Sequence, residues 1–274
     1  MVAIGNFDGL HLGHQALLQK TIQIAKKSGQ SSIAYTFTPH PRKAPRLMSD
    51  AQKAQSMRDL GIDRVVFQEF TPEFSALSPA DFIKQILINQ LQISYLVVGP
   101  NFAFGTRASG DIAMLRADRR FETHVVEPVM ISGEICSSSL IREAILSGNL
   151  DKAKAFLGRS YSLTGEVVKG AGRGQQLGFP TANLQVEQEI IPPLGVYVTH
   201  AKTSGRGATN IGRQPTFGAS NPVHVETHFL DFKGSLYGQE IEIFFERKIR
   251  DEKKFDSAEA LKKQIRQDLE MFRI

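Results

Sequence analysis

The 274-residue chain holds a single cysteine, Cys136, and no tryptophan. A lone thiol excludes an intrachain disulfide framework and a multi-thiolate zinc site, and it suits a reducing compartment. No segment approaches the ~18 consecutive apolar residues that a membrane helix needs. The opening MVAIGNFDG lacks the basic and then apolar regions of a secretory signal. A soluble, cytoplasmic protein with no membrane partner is expected. The metalloprotease pattern HExxH is also absent. Net charge is only +5, with +4 in residues 1–160 and +1 in the remainder. That bias suits a polyphosphate ligand and is too weak to call for nucleic acid.

What is present is an ordinary globular composition, 41% hydrophobic and 22% charged, long enough for one large domain or two smaller ones. The first half alternates. VAIG, SSIAYTF, RVVFQEF, ISYLVVG and THVVEPVMI read as strands. Between them the spacing predicts helices over 12–27 and 50–60, a helix capped by Ser78 with Pro79 in its first turn, and a helix over 111–120. Strands separated by helices predict a Rossmann-like, doubly wound parallel sheet, with ligands outside the carboxyl ends of its strands. SSSLIREAILSGN and LDKAKAFLG continue as helices. After Tyr161 the short runs SLTGEVV, GVYVTHA, VHVETHFLDF and EIEIFFE, broken by Gly, Pro and Asn, predict an antiparallel β-barrel or sandwich. A C-terminal helix closes the chain, with Asp256 and Glu259 as a capping pair and Ala258, Leu261, Ile265, Leu269 and Phe272 on one face. Two domains are expected, 1–158 and 159–274.

Three segments carry chemistry. In GNFDGLHLGHQ a strand runs through a glycine-bearing loop into a helix, leaving backbone N–H groups free for an anion. His11 and His14 lie three apart and can donate to phosphate oxygens, while Gly13 permits close approach. Two surface histidines near a helix start remain an equal alternative at this point. In ICSSSLIREAIL, three serines precede an amphipathic run with Arg142 one turn on, a second phosphate-compatible helix start or an ordinary serine cap. In VVKGAGRGQQLGFPTANL, glycines interleave with Lys169 and Arg173, and this is either a polyphosphate-wrapping loop or a merely flexible one. It matches neither GxxxxGK[ST] nor GxGxxG. Pro180 fixes the backbone ahead of Thr181 and Asn183, whose oxygen-bearing side chains share one side of an extended strand and suit Mg²⁺. His224, Glu226 and His228 share one face of a strand. A shared ion is disfavoured, because residues four apart on a strand are ~13 Å apart.

Taken in order, FDGLHLGH, GPNFAFG, SSSLIR, GFPTAN, NIGRQPTFG and RDEKKF resemble the prokaryotic bifunctional riboflavin kinase/FAD synthetases over nearly the whole chain. The resemblance implies an α/β FMN adenylyltransferase domain over 1–158, followed over 159–274 by an antiparallel β-barrel riboflavin kinase domain with a C-terminal helix. It implies the small-molecule substrates riboflavin, FMN and ATP, with ATP as co-substrate and Mg²⁺ as the metal. For the first domain it implies that His11, His14 and Arg142 act at the ATP phosphates. Gly5, Phe7, Asp8, Gly9, Gly13, Ser137, Ser138 and Ser139 would bind ATP, and Asn101 and Phe102 would meet the flavin. For the second domain it implies ATP contacts from Lys169, Gly172, Arg173, Gly174, Gly178 and Pro180, and metal service from Thr181 and Asn183. Glu226 becomes the general base, Asn210 and Thr216 site support, and Arg250 and Phe255 flavin neighbours.

The chain departs from the family pattern in places. GPNFAFG has Asn101 and Ala103 where GxDFxFG is common, and TFTPHP has Thr38 where an acidic residue is common. The chain also starts almost at its first strand, where many members carry a longer amino-terminal element. The loss of charge leaves open a kinase with a weak or altered adenylyltransferase half. A non-catalytic flavin- or RNA-binding regulator is a third reading, disfavoured by the retained His11, His14, Thr181 and Glu226 and by the low charge.

Overall fold

The computed structural model describes residues 1–41, 44–170, 172–213 and 223–273, with the side chains of Arg173, Gln176 and Arg273 excepted. The chain forms two compact units, Met1–Arg46 with Asp50–Ser138, and Leu47–Ser49 with Ser139–Ile274.

The first unit is built on a five-stranded parallel sheet. Its strands are β1 (Val2–Ile4), β2 (Ile33–Thr38), β3 (Arg64–Glu69), β4 (Tyr95–Val98) and β5 (Glu122–Val125), in the order β3-β2-β1-β4-β5. β1 lies at the centre because all three of its residues are apolar and at most 1% exposed, as a strand covered on both faces requires. The chain builds outward from β1 to β3, then crosses back to place β4 on the other side. This makes the carboxyl ends of β1 and β4 a topological switch point. Both the GNFDGLHLGH and the GPNFAFG loops leave the sheet there.

Helix α1 (Leu12–Ser28) buries Leu17, Leu18, Thr21 and Ala25, and Gly29 ends it in the left-handed conformation that a side chain disfavours. Helix α2 (Asp50–Asp59) packs beside β3. Ser78 caps the next helix as expected, its hydroxyl accepting the Asp81 N–H. The helix then winds as a π-helix, Phe82–Gln90, whose Phe82, Ile83, Ile86 and Leu87 are buried. Two expectations change here. THVVEPVMI is not one strand: β5 ends at Val125, and Pro128, having no N–H, precedes a separate two-stranded ribbon of β6 (Met130–Ile131) and β7 (Glu134–Ile135). The helix over 111–120 is shorter, Ile112–Ala117, capped by Asp111, and Arg120 turns back onto the Asp118 carboxylate at 2.5 Å.

In the second unit the helices Ser138–Leu146 and Leu150–Leu157 precede a closed antiparallel barrel. Its strands are β8 (Ser162–Val168), β9 (Ala182–Val186), β10 (Gly195–Ala201), β11 (Gly205–Arg213), β12 (Val223–Phe229) and β13 (Glu240–Arg250), in the order β10-β11-β12-β9-β8-β13, with β13 closing on β10. β11, GRGATNIGR, was hidden by its glycine content, since Gly depletes the side-chain pattern on which strands are read. The final helix is Ala258–Glu270. Its cap is Ser257 rather than Asp256, the serine hydroxyl accepting the Ala260 N–H.

Inside the barrel a chain of hydroxyls fixes the relative position of three strands. Thr209 Oγ1 is 2.7 Å from both Thr199 Oγ1 and Thr227 Oγ1, Thr199 donates to the Gly207 carbonyl, and all three threonines are fully buried. Thr209→Val keeps the shape and removes two bonds from this chain. It should cost about 1–3 kcal/mol, read as a lower urea midpoint, and an unchanged midpoint would contradict the role given to the ladder.

Candidate active sites

The first site grows from the carboxyl end of β1. Gly5 N–H donates to the Tyr35 carbonyl, and the buried Thr36 hydroxyl donates to the Asn6 carbonyl, so the loop is tied to β2 as it leaves the sheet. Phe7 (φ 51°), Gly9 (φ 79°) and Leu10 (φ 42°) then adopt left-handed conformations, and Phe7, Asp8 and Leu10 are buried. For Phe and Leu this is strained backbone, costing of order 1–3 kcal/mol each, held by the packing around it. Gly5 makes room for the Phe7 ring, 3.1 Å from where its Cβ would sit.

His11 is the N-cap of α1, and its Nδ1 accepts the His14 N–H at 3.3 Å. The two rings stack with centroids 3.6 Å apart, and Phe7 meets His14 edge-on at 5.4 Å. Gly13 has no side chain because the His11 ring lies 3.2 Å from where one would start.

The expected free N–H groups at this helix start are not free. Those of Leu12 and Gly13 donate to the Cys136 sulfur, and that of His14 goes to His11. The group left for a ligand is therefore the His14 imidazole. His14 Nδ1 is shielded from solvent and has no hydrogen-bond partner among the described residues. Burial first, then His11 and Lys53, hold the His14 imidazole well below its usual range, so the ring is neutral. Lys53 is itself buried and paired with Asp50 at 3.3 Å, and Asp50 accepts the Thr38 hydroxyl at 2.7 Å. Thr38, in the position where an acid is common, is thus tied to a carboxylate from α2.

Ser138 donates to the Asp8 carbonyl at 2.9 Å and clamps the loop, while Ser137 lies just before that helix. Ser139 and Arg142 lie on its first turns, in the second unit.

Beside this loop is a cavity of about 470 Å³ in the first unit, lined by Gly5, Asn6, Asn101, Phe102 and a run of phenylalanines. Phe37 meets Phe70 at 5.7 Å, Phe74 meets Phe82 at 6.1 Å, Phe82 meets Phe104 at 5.3 Å, and Phe102 stacks on Phe104 at 5.8 Å. The size suits a cofactor-sized ligand and the walls suit a planar ring. Gly5, Asn101 and Phe102 come together here. The lining does not include His11, His14, Phe7, Asp8, Gly9 or Gly13. Sequence reasoning missed the phenylalanine wall, although Phe70 and Phe74 follow β3 one turn apart and 18 of the chain's 23 aromatics are Phe.

The second site lies on the outer face of the barrel, around a cavity of about 380 Å³. Strand register places Asn183, Glu226, Asn210, Val196 and Arg250 side by side across five strands, and all five line the cavity. Gly172, Gly174, Thr181 and Phe255 also line it. The glycine loop has a specific steric origin. A Cβ on Gly170 would collide with the Asn183 amide, and one on Gly174 would meet the Phe179 carbonyl at 2.5 Å and Thr181 Oγ1 at 3.1 Å. The loop backbone therefore lies directly against the two oxygen-bearing side chains.

Lys169, Gly178 and Pro180 are exposed and do not form the lining; Pro180 instead gives its carbonyl to His228 Nδ1 at 2.8 Å. The Arg173 side chain and Thr216 lie outside the described residues. Arg250 is turned onto Asp268, donating through Nε and Nη2 at 2.8–3.1 Å, and its guanidinium lies 5.7 Å from the Phe255 ring centroid. It thereby anchors the last helix to the barrel edge. Among the described residues no group of three His, Cys, Asp or Glu could hold a metal. Thr181 and Asn183 fit a hard cation that takes few protein oxygens and binds chiefly to substrate phosphates.

Comparison with known proteins places these sites in context. Residues 1–140 match the FAD synthetase family and residues 157–274 the riboflavin kinase family. The chain is 35% identical to the bifunctional riboflavin kinase/FMN adenylyltransferase of Pseudomonas fluorescens, over 98% of this chain and 90% of that one. It is 36% identical to the protein of the same name from Listeria monocytogenes, with the same coverage. A crystal structure titled macrolide-efflux protein from Streptococcus pneumoniae superposes with a TM-score of 0.87 at 29% identity, covering 99% of this chain and 93% of that one. Among the described residues no helix is long and apolar enough to cross a membrane.

The depressed basicity of His14 has a measurable consequence. The folded protein keeps the ring neutral while the unfolded chain protonates it below pH ~6.5, so stability should fall with pH below that point, by at most about 1.4 kcal/mol per pH unit. His14→Gln should flatten this part of the profile, measured by urea unfolding at stepped pH. Parallel profiles for the two proteins would contradict it.

Proposed function

The chain belongs to the bifunctional riboflavin kinase/FMN adenylyltransferase family, and on that basis we propose that it phosphorylates riboflavin to FMN and adenylylates FMN to FAD. ATP is co-substrate in both reactions. The observation that carries the reading is the transverse row on the barrel, which brings Asn183, Glu226 and Asn210 to one cavity beside Thr181. The two matched families leave the interval between residues 140 and 157 to the helices Ser138–Leu146 and Leu150–Leu157, which supports a functional division near residue 158. The lone thiol of Cys136 supports a cytoplasmic location.

In the kinase, Glu226 accepts the proton of the riboflavin 5′-hydroxyl as its oxygen attacks the γ-phosphorus. The bond to the β-phosphate oxygen breaks and ADP leaves. Gly172 and Gly174 bring backbone close to the phosphates, with Arg173, Gly178 and Lys169 in the same loop region, while Phe255 flanks the flavin. Thr181 and Asn183 would hold Mg²⁺, which neutralises polyphosphate charge when bound.

In the adenylyltransferase, a phosphate oxygen of FMN attacks the α-phosphorus of ATP and pyrophosphate leaves. The attacking phosphate is already anionic, so no base is needed. A neutral His14 with an unpartnered Nδ1, stacked on His11, suits a hydrogen-bonding role toward charge that develops on the α-phosphate oxygens. Ser137, Ser138, Ser139 and Arg142 would hold the outer phosphates, and the phenylalanine-lined cavity with Asn101 and Phe102 would take the flavin.

The two sites should fail independently. Glu226→Gln should lower FMN formation from riboflavin by about 10²–10⁴ and leave FAD formation from supplied FMN intact. His11→Ala with His14→Ala should do the reverse, by about 10²–10³ per donor lost. Flavin chromatography with each substrate checks both, and a Glu226 variant that retains FMN formation would overturn the assignment.

A further inference from the structure

Strand β12 presents three side chains in succession to the barrel cavity: His224, Glu226 and His228. Glu226 lies in the row described above. His228 is engaged by a carbonyl, which only accepts, so its Nδ1 carries the proton and holds Pro180 at the entrance to the Thr181–Asn183 segment. The Nε2 of His224 is shielded from solvent and lacks a hydrogen-bond partner among the described residues. A buried polar atom left in this way costs free energy unless a ligand meets it.

The surroundings of His224 indicate which ligand. On one side of Glu226 the cavity is the phosphate end, with His228, Thr181 and the glycine loop. His224 lies on the other side, opposite Gly212 in the ladder. A Cβ on Gly212 would meet Glu252 Oε1 at 2.5 Å, so the segment carrying Glu252, Lys253 and Phe255 crosses the cavity there. Leu261 and Ile265 of the last helix add apolar lining. This end fits a ring system rather than a triphosphate. His224 and Glu226 are two strand residues apart, about 7 Å. The chain of hydroxylated carbons that joins the flavin ring to its 5′-hydroxyl has four carbon–carbon bonds of about 1.5 Å each and so spans about 5 Å.

We propose that His224 is a flavin-binding residue of the kinase site, its Nε2 hydrogen-bonding a hydroxyl of the polyol chain and so holding the 5′-hydroxyl at Glu226. A hydroxyl both donates and accepts, so either imidazole tautomer can make the bond. The inference rests on the kinase reading and names a substrate contact that the family motifs do not include.

The test uses the full chain with His224→Ala and His224→Gln. His224→Ala should raise the KM for riboflavin about tenfold and leave the KM for ATP unchanged, and His224→Gln should recover part of the loss. Lumiflavin, which carries a methyl group in place of the polyol, should bind wild type and His224→Ala alike by fluorescence quenching. An unchanged riboflavin KM, an equal weakening of riboflavin and lumiflavin, or a raised KM for ATP would each overturn the inference. If the alanine variant does not fold, the glutamine variant carries the same comparison. A wild-type protein that forms no FMN overturns the kinase reading itself, and this inference with it. A wild type that turns over, with a dead Glu226→Gln and an unaffected His224→Ala, overturns the inference alone.

Discussion

The register of β12 in the barrel is the constraint on which the second site depends. Val225, Thr227 and Phe229 face the interior, and Thr227 is held there by its bond to Thr209. Because side chains alternate, a slip of one residue would bury Glu226 and turn Thr227 outward, at the cost of a stranded carboxylate and a broken hydroxyl chain. The interior ladder therefore fixes what the exterior presents. Asn183 and Asn210 stand beside Glu226 for the same reason, since both are its ladder partners. The glycine loop completes the site by steric necessity: only a backbone without Cβ atoms at Gly170 and Gly174 can lie against Asn183 and Thr181.

The first site rests on a different device. A parallel sheet whose order reverses at β1 leaves a crevice at the carboxyl ends of β1 and β4, and two loops meet there. The loop after β1 is strained at Phe7 and Leu10 and is held by Thr36, Tyr35 and Ser138. That hold presents the stacked histidines as a rigid pair. The two sites also differ in chemistry. One presents the Glu226 carboxylate between two asparagines, and the other a stacked histidine pair in which His14 is held neutral.

Much of the fold was legible because the patterns are local. Apolar β1, the 3.6-residue face of α1 ending at Gly29, and the Ser78-Pro79 helix start each follow from a few neighbouring residues. What escaped was long-range. Nothing near α1 announces that Leu12 and Gly13 donate to the sulfur of Cys136, more than a hundred residues away, so the first-turn donors read as free. The phenylalanine wall assembles from β2, the segment after β3, the π-helix and the Phe102–Phe104 loop, and no single stretch is rich enough to reveal it. The pairing of Arg250, which lines the second cavity, with Asp268 was hidden in the same way, because Asp268 lies a helix away. Thr181 and Asn183 were read from their shared side of an extended strand and Glu226 from motif resemblance; that Asn183 stands beside Glu226 became visible only through the ladder, and that Thr181 joins them only through the cavity they line.

The most direct test of the account is a time course of flavins separated by chromatography after the wild-type protein is mixed with riboflavin, ATP and Mg²⁺. The account predicts that FMN appears first and FAD then grows at its expense. Riboflavin that stays unchanged while supplied FMN still becomes FAD would contradict the role given to the barrel and to the row centred on Glu226.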